Sequence, residues 1–234
     1  MSAPCKLRPA YPSDLPAVKT LWQAIFGDTP ESVEAFFRAF PKCRAVVAEA
    51  EDGTLVSMVN VLTQTLAYPG GTLPVAYLYA IGTREDYRGR RLGQTLTGYA
   101  EALLARLGYA LTALTPAEPS LFRYYAQQGY IPAFFRSRTA FSGGREVDAA
   151  AYLERREAIL EKVPHIRYDA ATLAYVQAVY GLRFYETDTG IAAAGDSYTG
   201  EVLPEDLGGT PFAMAKWLCT PRPMEPGYLG FAME

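Results

Sequence analysis

Thr83-Arg84-Glu85-Asp86-Tyr87-Arg88-Gly89-Arg90-Arg91-Leu92-Gly93-Gln94 is the stretch on which the reading of this chain turns. Ahead of it runs the apolar segment TLPVAYLYAIGT, residues 72–83. Behind it, Leu92, Leu96, Tyr99, Leu103 and Leu107 recur at helical spacing up to Gly108. A strand therefore passes through a glycine-bearing turn into a long helix. The first backbone N–H groups of such a helix have no partner within it, and with the helix dipole they form an anion site. Gly89 and Gly93 let a ligand approach the backbone, while Arg88, Arg90 and Arg91 add charge complementary to phosphate. The segment reads as a pyrophosphate cradle; the competing reading is a solvated basic turn before a helix. The Lys-Ser/Thr of a nucleoside-triphosphate loop is missing, and so is the GxGxxG spacing of a dinucleotide fold.

Working outward, CKLRPA near the N-terminus reads as a short strand. Ser13 is then the expected N-cap of a helix over 14–26 that Gly27 ends, with Leu15, Val18, Leu21, Trp22 and Ile25 on one face. A second helix begins at Thr29-Pro30 and carries Val33, Phe36, Phe37 and Phe40 on its apolar face. RAVVAEA, TLVSMVNVLTQTLAY and TLPVAYLYAIGT, joined by EDG and PGG turns, read as three antiparallel strands. After the long helix come a strand (YALTALTP), a helix from about 119 to 128, the break at Gly129 and a strand (YIPAFFRSRTAF). The fold class expected is α+β, a mixed, mainly antiparallel sheet flanked by helices. Ser142-Gly143-Gly144 is the internal boundary, dividing a domain over 1–142 from a smaller α+β domain over 143–234. The latter holds helices near 149–163 and 170–180 and short strands around LRFYET, GIAAAG, YTGEVLP, FAMAKWL and YLGFAME.

Composition limits the chemistry. The chain has 234 residues and a formal net charge of −3, half of it is hydrophobic, and it contains 17 Tyr, 11 Phe and 2 Trp. The mild acidity argues against a nucleic-acid protein, which carries a basic field. One histidine, His165, excludes most zinc sites, so no metal is expected. Cys5, Cys43 and Cys219 lie far apart without a CxxC pair and read as reduced thiols in a cytoplasm. No apolar run approaches the ~20 residues of a membrane span, and the N-terminus does not read as a signal peptide.

Arg88-Gly89-Arg90-Arg91-Leu92-Gly93 resembles the pyrophosphate motif Gln/Arg-x-x-Gly-x-Gly/Ala of the GCN5-related N-acetyltransferases (GNAT), with Arg91 in place of the middle glycine. That family places the motif after its fourth strand and at the start of its third helix, where the element count puts it here. Tyr125-Ala126-Gln127-Gln128-Gly129-Tyr130 resembles a second family signature, Tyr-x-x-x-Gly-Phe/Tyr. The resemblance implies acetyl-CoA as cosubstrate, held by residues 88–94 (Arg88, Gly89, Arg90, Arg91, Leu92, Gly93 and Gln94), with the strand Ile81-Gly82-Thr83 pairing with the pantetheine arm. It also implies Tyr125 as the acid that protonates the leaving thiolate, against a packing role for the same ring. Many members carry Asn about seven residues before that tyrosine; Glu118 stands here. With the tail length, LFRYYAQQGY and the ending GYLGFAME, this resembles the two-domain branch of enhanced-intracellular-survival type acetyltransferases, whose second domain is a degenerate copy of the first. In that branch the C-terminal carboxylate acts as base, a role that would fall to Glu234; an ordinary exposed terminus is the alternative.

The function implied is acetyl-CoA-dependent transfer of an acetyl group to a primary amine of a small molecule or peptide by direct attack on the thioester. A non-catalytic acyl-CoA sensor is the alternative, and the lack of a basic field speaks against an aminoacyl-tRNA donor. The expected partner is the amine acceptor, with neither nucleic acid nor membrane; a homo-oligomer is compatible with the sequence. Among other candidates, His165 reads as a capping or core residue before a base, and Cys5 and Cys43 have no evident base. Glu49 and Glu51 read as a charged turn. Asp28 and Glu31 either attract a cationic amine or are solvated, and Trp22, Phe26, Phe36, Phe37 and Phe40 are core, some of them on the acceptor side in this family.

Overall fold

The computed structural model describes residues 5–136, 140–196, 199–204, 210–219 and 227–230. Strand β1 (Lys6–Pro9) passes through a single 3₁₀ turn, Pro12–Asp14, into α1 (Leu15–Phe26). Ser13 lies inside that turn, and Asp14, the residue before α1, is held there because its carboxylate accepts from the Tyr11 amide at 2.6 Å and from Arg8 at 2.6 Å. Gly27 ends α1 in the left-handed conformation. Helix α2 (Pro30–Ala39) starts on Thr29, whose hydroxyl accepts from the Ser32 amide, with Pro30 where an N–H would have no partner.

Strands β2 (Arg44–Glu49), β3 (Leu55–Tyr68) and β4 (Gly71–Thr83) follow as an antiparallel meander, then α3 (Leu92–Arg106), β5 (Leu111–Leu114), α4 (Pro119–Ala126) and β6 (Ile131–Arg136). This is the element order expected to residue 142, and the α+β class holds. Beyond it come β7 (Arg145–Val147), α5 (Ala149–Leu160), β8 (His165–Arg167), α6 (Ala170–Tyr180), β9 (Arg183–Thr187), β10 (Gly190–Ala194), β11 (Thr199–Pro204), β12 (Thr210–Trp217) and β13 (Gly227–Tyr228).

The main sheet has the order β1-β2-β3-β4-β5-β12-β6-β13-β8, and the far end of β3 also pairs with β8, so the ladder closes on itself. Three of its strands, β8, β12 and β13, come from beyond residue 142, and the sheet therefore runs across that boundary. A second, antiparallel sheet has the order β11-β10-β9-β7.

Alternation along the strands sends Tyr77 and Tyr79 to one face of the main sheet and Ala76 and Leu78 to the other. The first face packs with Trp22, Val33, Phe36 and Tyr175 from α1, α2 and α6, the second with Leu96, Ala100, Leu104 and Tyr125 from α3 and α4. Each such large apolar side chain stabilises the fold by about 1.5–3 kcal/mol when fully buried. One buried ion pair joins the layers. Arg156 of α5, fully buried, donates to Glu201 of β11 at 3.2 Å, to the Ile166 carbonyl of β8 at 2.9 Å and to the Leu229 carbonyl after β13 at 3.2 Å. Its guanidinium lies 3.9 Å from the centre of the Tyr168 ring. Tyr152 also donates to Glu201, and Tyr168 to the Leu229 carbonyl.

Candidate active site

Strands β4 and β5 run parallel and in register from Val75↔Leu111 to Tyr77↔Ala113, where the ladder stops while β4 continues to Thr83. The Tyr77 and Thr115 hydroxyls meet at 2.8 Å beyond that last pair. On its other side, β4 carries a bulge against β3: Asn60 opposes Tyr79 and Met58 opposes Gly82. Within it Ala80 has φ 46, a conformation that costs a non-glycine residue about 1 kcal/mol. The bulge takes local backbone groups out of the ladder, which leaves them available to a ligand. Gly82 keeps this junction close-packed: a Cβ on it would stand 2.9 Å from Ile25 and 3.1 Å from Phe26 in the last turn of α1, and those side chains would have to shift. Thr83 is fixed by the Ser57 hydroxyl at 2.8 Å.

After Thr83 a 3₁₀ turn, Glu85–Tyr87, leads to Gly89 (φ 75) and to Arg91 (φ 59, ψ 16), the N-cap of α3. Arg91 thus holds the left-handed conformation that glycine adopts without strain. Its side chain makes no cap bond, and the first intrahelical bond runs from the Thr95 amide to the Arg91 carbonyl, so the amides of Leu92, Gly93 and Gln94 have no partner in the helix. They border a cavity of about 310 Å³ lined by Thr83, Tyr87, Arg88, Gly89, Arg91, Leu92, Gly93, Gln94 and Tyr124. A Cβ on Gly93 would reach to 3.2 Å from the Thr83 hydroxyl oxygen.

The arginines frame this cavity. Arg88 donates to the Thr83 carbonyl at 3.0 Å, and Arg90 to the Asp86 carbonyl at 2.9 Å. Arg84 pairs with Asp86, and the Arg84 and Arg90 guanidiniums each lie 4.9 Å from the centre of the Tyr87 ring. The turn therefore brings together Thr83, Arg88, Gly89, Arg91, Leu92, Gly93 and Gln94. Arg90 stands beside the cavity, and Ile81 and Gly82 lead into it along β4.

Tyr125 sits in α4 with its ring in the core of the second face, edge-on to Tyr130 at 5.7 Å. Among the described residues its hydroxyl has no hydrogen-bond partner. Burial, with a smaller contribution from Tyr124, raises its pKa well above the usual tyrosine value, so it stays protonated at neutral pH. Tyr124, one position earlier and partly exposed, lines the cavity together with Tyr87. The sequence reading passed over it, although the pair Tyr124-Tyr125 on an amphipathic helix sends one ring inward and the next toward the side.

Glu234 lies outside the described residues. Glu118 is the N-cap of α4, and Glu49 pairs with Arg8 at 2.5 Å. His165, buried in β8, bonds to the Val163 carbonyl at 2.8 Å and to Glu157 at 3.2 Å and is a structural residue. Burial pushes the Cys43 thiol up to about 12, which removes it as a nucleophile. Asp28 accepts from the Trp22 indole at 2.6 Å, and Glu31 lies in the first turn of α2. Among the described residues no helix is long and apolar enough to cross a membrane.

A family model described as an acetyltransferase (GNAT) domain matches residues 6–133. Among solved structures, a conserved protein of unknown function from Enterococcus faecalis V583, described as a probable N-acyltransferase, is similar with a TM-score of 0.66 and 15% identity over 92% of this chain and 73% of that one. A GCN5-related N-acetyltransferase from Kribbella flavida gives 0.60 and 19% identity over 86% and 57%. Eis1 from Mycobacterium abscessus gives 0.57 and 18% over 80% and 53%. The chain spans a little over half the length of these last two, and at such identities the likeness is one of fold.

Proposed function

Because this chain belongs to the GNAT acetyltransferase family, we propose that it transfers an acetyl group from acetyl-CoA to a primary amine of a small molecule or peptide. The observation that carries this reading is the start of α3, where the amides of Leu92, Gly93 and Gln94 open into the 310 Å³ cavity beneath a left-handed Arg91. Unpaired helix-start amides and the helix dipole stabilise a pyrophosphate there. Gly89 and Gly93 admit its oxygens, and Arg88, Arg90 and Arg91 offset its charge. The pantetheine arm follows Ile81, Gly82 and Thr83 where β4 has left β5, and the backbone freed by the bulge at Ala80 polarises the thioester carbonyl.

The amine lone pair attacks the carbonyl carbon and forms the C–N bond, while the C=O electrons move onto oxygen. Their return breaks the C–S bond; the departing thiolate takes the Tyr125 hydroxyl proton, the proton left in excess on the new amide nitrogen passes to water, and Tyr125 regains a proton from water. Burial holds Tyr125 above the usual tyrosine range, so its hydroxyl is protonated at neutral pH and is there to be given up when the thiolate leaves. Three cysteines without a disulfide, Cys5, Cys43 and Cys219, support a reducing cytoplasm as the setting.

Thiol release from acetyl-CoA with polyamines, aminoglycosides, amino acids and peptides tests the reading, with CoA affinity measured alongside. Tyr125→Phe lowers kcat by about a hundredfold with little effect on CoA affinity if the ring is the acid; equal turnover returns it to packing. Tight CoA binding with no thiol release on any amine would make the chain an acyl-CoA sensor instead.

A further inference from the structure

Exposed apolar side chains that gather in one place mark a surface that binds something. Six large ones are exposed among the described residues: Tyr11, Leu15, Phe26, Leu107, Tyr124 and Ile131. Phe26 and Tyr124 stand at the site already described, against Gly82 and in the cavity at the start of α3. Tyr11, Leu15 and Leu107 meet instead at a second groove, of about 540 Å³, at the opposite end of α3. The two sites share no lining residue, and Leu92 and Leu107 are about 20 Å apart along the helix.

This groove has a fixed floor and an open rim. Val18, Val46, Val61 and Leu104, all buried, form the floor, one each from α1, β2, β3 and α3. The Ala10 amide donates to the Ala45 carbonyl at 2.8 Å and closes the side next to β1. Tyr11 is held twice: its amide donates to the Asp14 carboxylate at 2.6 Å, and the Arg8 guanidinium lies 4.6 Å from the centre of its ring. Arg8 is itself committed to Asp14 and Glu49. The groove is therefore formed in advance and loses little freedom on taking a ligand. Its one charged lining residue is Arg44, opposite Val61 in the ladder of β2 and β3 and on the same face of β2 as Val46. Arg44 is exposed, and among the described residues its guanidinium has no hydrogen bond, ion pair or ring contact. Lys42 and Arg106, each next in the chain to a lining residue, have no ion-pair partner among the described residues either.

We propose that this groove is a binding site for an aliphatic carboxylate, its chain lying between α1 and α3 and its head group on Arg44. The site is additional to acetyl transfer and does not depend on it. A guanidinium presents two parallel N–H donors that match the two oxygens of a carboxylate, and one such group neutralises it. An uncharged ligand would leave that charge unanswered. The lining suits the rest of the molecule: a volume of about 540 Å³ falls within the roughly 300–1,000 Å³ of small-molecule sites, which are mostly apolar with a few placed polar groups. Leu103, Leu104 and Leu107 on one side and Leu15 and Val18 on the other offer an aliphatic chain walls of its own kind.

Titration calorimetry of the full chain with hexanoate, octanoate and decanoate, each with and without CoA, tests this. The expected result is one site per chain, a Kd that tightens about fourfold for each added methylene, and no effect of CoA. The uncharged 1-octanol binds at least about tenfold more weakly than octanoate, because the charge-assisted bonds to Arg44 are missing. Arg44→Gln lowers octanoate affinity by the same factor and leaves 1-octanol unchanged, a split that a merely structural defect would not give. Leu107→Glu, at a second exposed position, sets a carboxylate at the rim and also weakens octanoate. No binding of any carboxylate at millimolar concentration, equal affinity for octanoate and 1-octanol, or an Arg44→Gln protein that binds octanoate as the wild type does overturns the proposal. Octanoate binding that CoA displaces does so too, since it places the ligand in the first cavity. A dimer in sedimentation that Leu107→Glu splits gives the groove to a second copy, and binding to phosphatidylglycerol vesicles without binding to free octanoate gives it to a membrane surface; either result overturns the carboxylate site.

Discussion

Arg156→Met probes the link between the two sheets. The substitution keeps an unbranched side chain of similar length but removes the charge that Glu201 faces at 3.2 Å, in a place where neither side chain is exposed. Glu201 then retains the Tyr152 hydroxyl as its bonded partner, and the carbonyls of Ile166 and Leu229 each lose a donor. Removing one member of a buried pair costs about 3–5 kcal/mol, most of it the penalty of an uncompensated charge. At about 4 kcal/mol, and with about 2–4 °C per kcal/mol for a chain of this size, Tm falls by about 8–16 °C. Scanning calorimetry reads this directly. The double variant Arg156→Met/Glu201→Leu removes both charges and recovers most of the loss, because apolar side chains of similar volume often replace a buried pair at no net cost. A single variant within about 2 °C of the wild type, or a double no better than the single, would refute the account of this pair as the link between layers.

Gly93→Leu places carbon against the Thr83 and Tyr124 hydroxyls, which an added Cβ would approach to 3.2 and 3.8 Å, and fills the cavity at the start of α3. CoA affinity by calorimetry falls at least about a hundredfold while the circular dichroism spectrum stays unchanged; an unaltered Kd would remove the pyrophosphate from this turn. Asp14→Asn loosens the junction of β1 and α1. Arg8 holds the Asp14 carboxyl below its usual range, so the pair stabilises the fold above about pH 4, and that contribution disappears as pH falls through the folded-state value. The variant is about 1 kcal/mol less stable at pH 7, and its urea midpoint converges on the wild type's as the pH drops below 4; a constant gap down to pH 2 would contradict this.

Where the decisive groups are neighbours in the chain, the sequence could be read almost to the residue. Gly27 closes α1 and Thr29-Pro30 opens α2 because caps are local chemistry. The passage of 83–94 from strand through a turn into a helix was equally legible, since its glycines and the apolar spacing behind it are local signals. Ser13 misled because Asp14, one residue on, has Arg8 as a partner across the fold. Ala80 gave no sign of its bulge, lacking the glycine that would announce a positive φ. FAMAKWL was recognisable as a strand, but alternation reveals a strand's faces and not its neighbours, and its position between β5 and β6 is a tertiary fact. Strands β7 and β8, three residues each, were too short to show a period. Likewise the periodicity of 170–180 yields α6, but not the edge-on meeting of Tyr175 with Phe36 of α2.

The placement of β12 also governs how the protein comes into being. Thr112 of β5 and Lys216 of β12 face each other across 104 positions of sequence. At translation rates of about 5–20 residues per second, β5 emerges about 5–20 s before the strand that covers its outer edge. During that interval a nascent chain with the whole turn over 83–94 already synthesised still presents an open β-edge, a template for pairing with other chains. A rearranged chain in which β12 is moved to lie directly before β6, its antiparallel neighbour, would turn this long-range closure into a hairpin and fold faster from the same pairing.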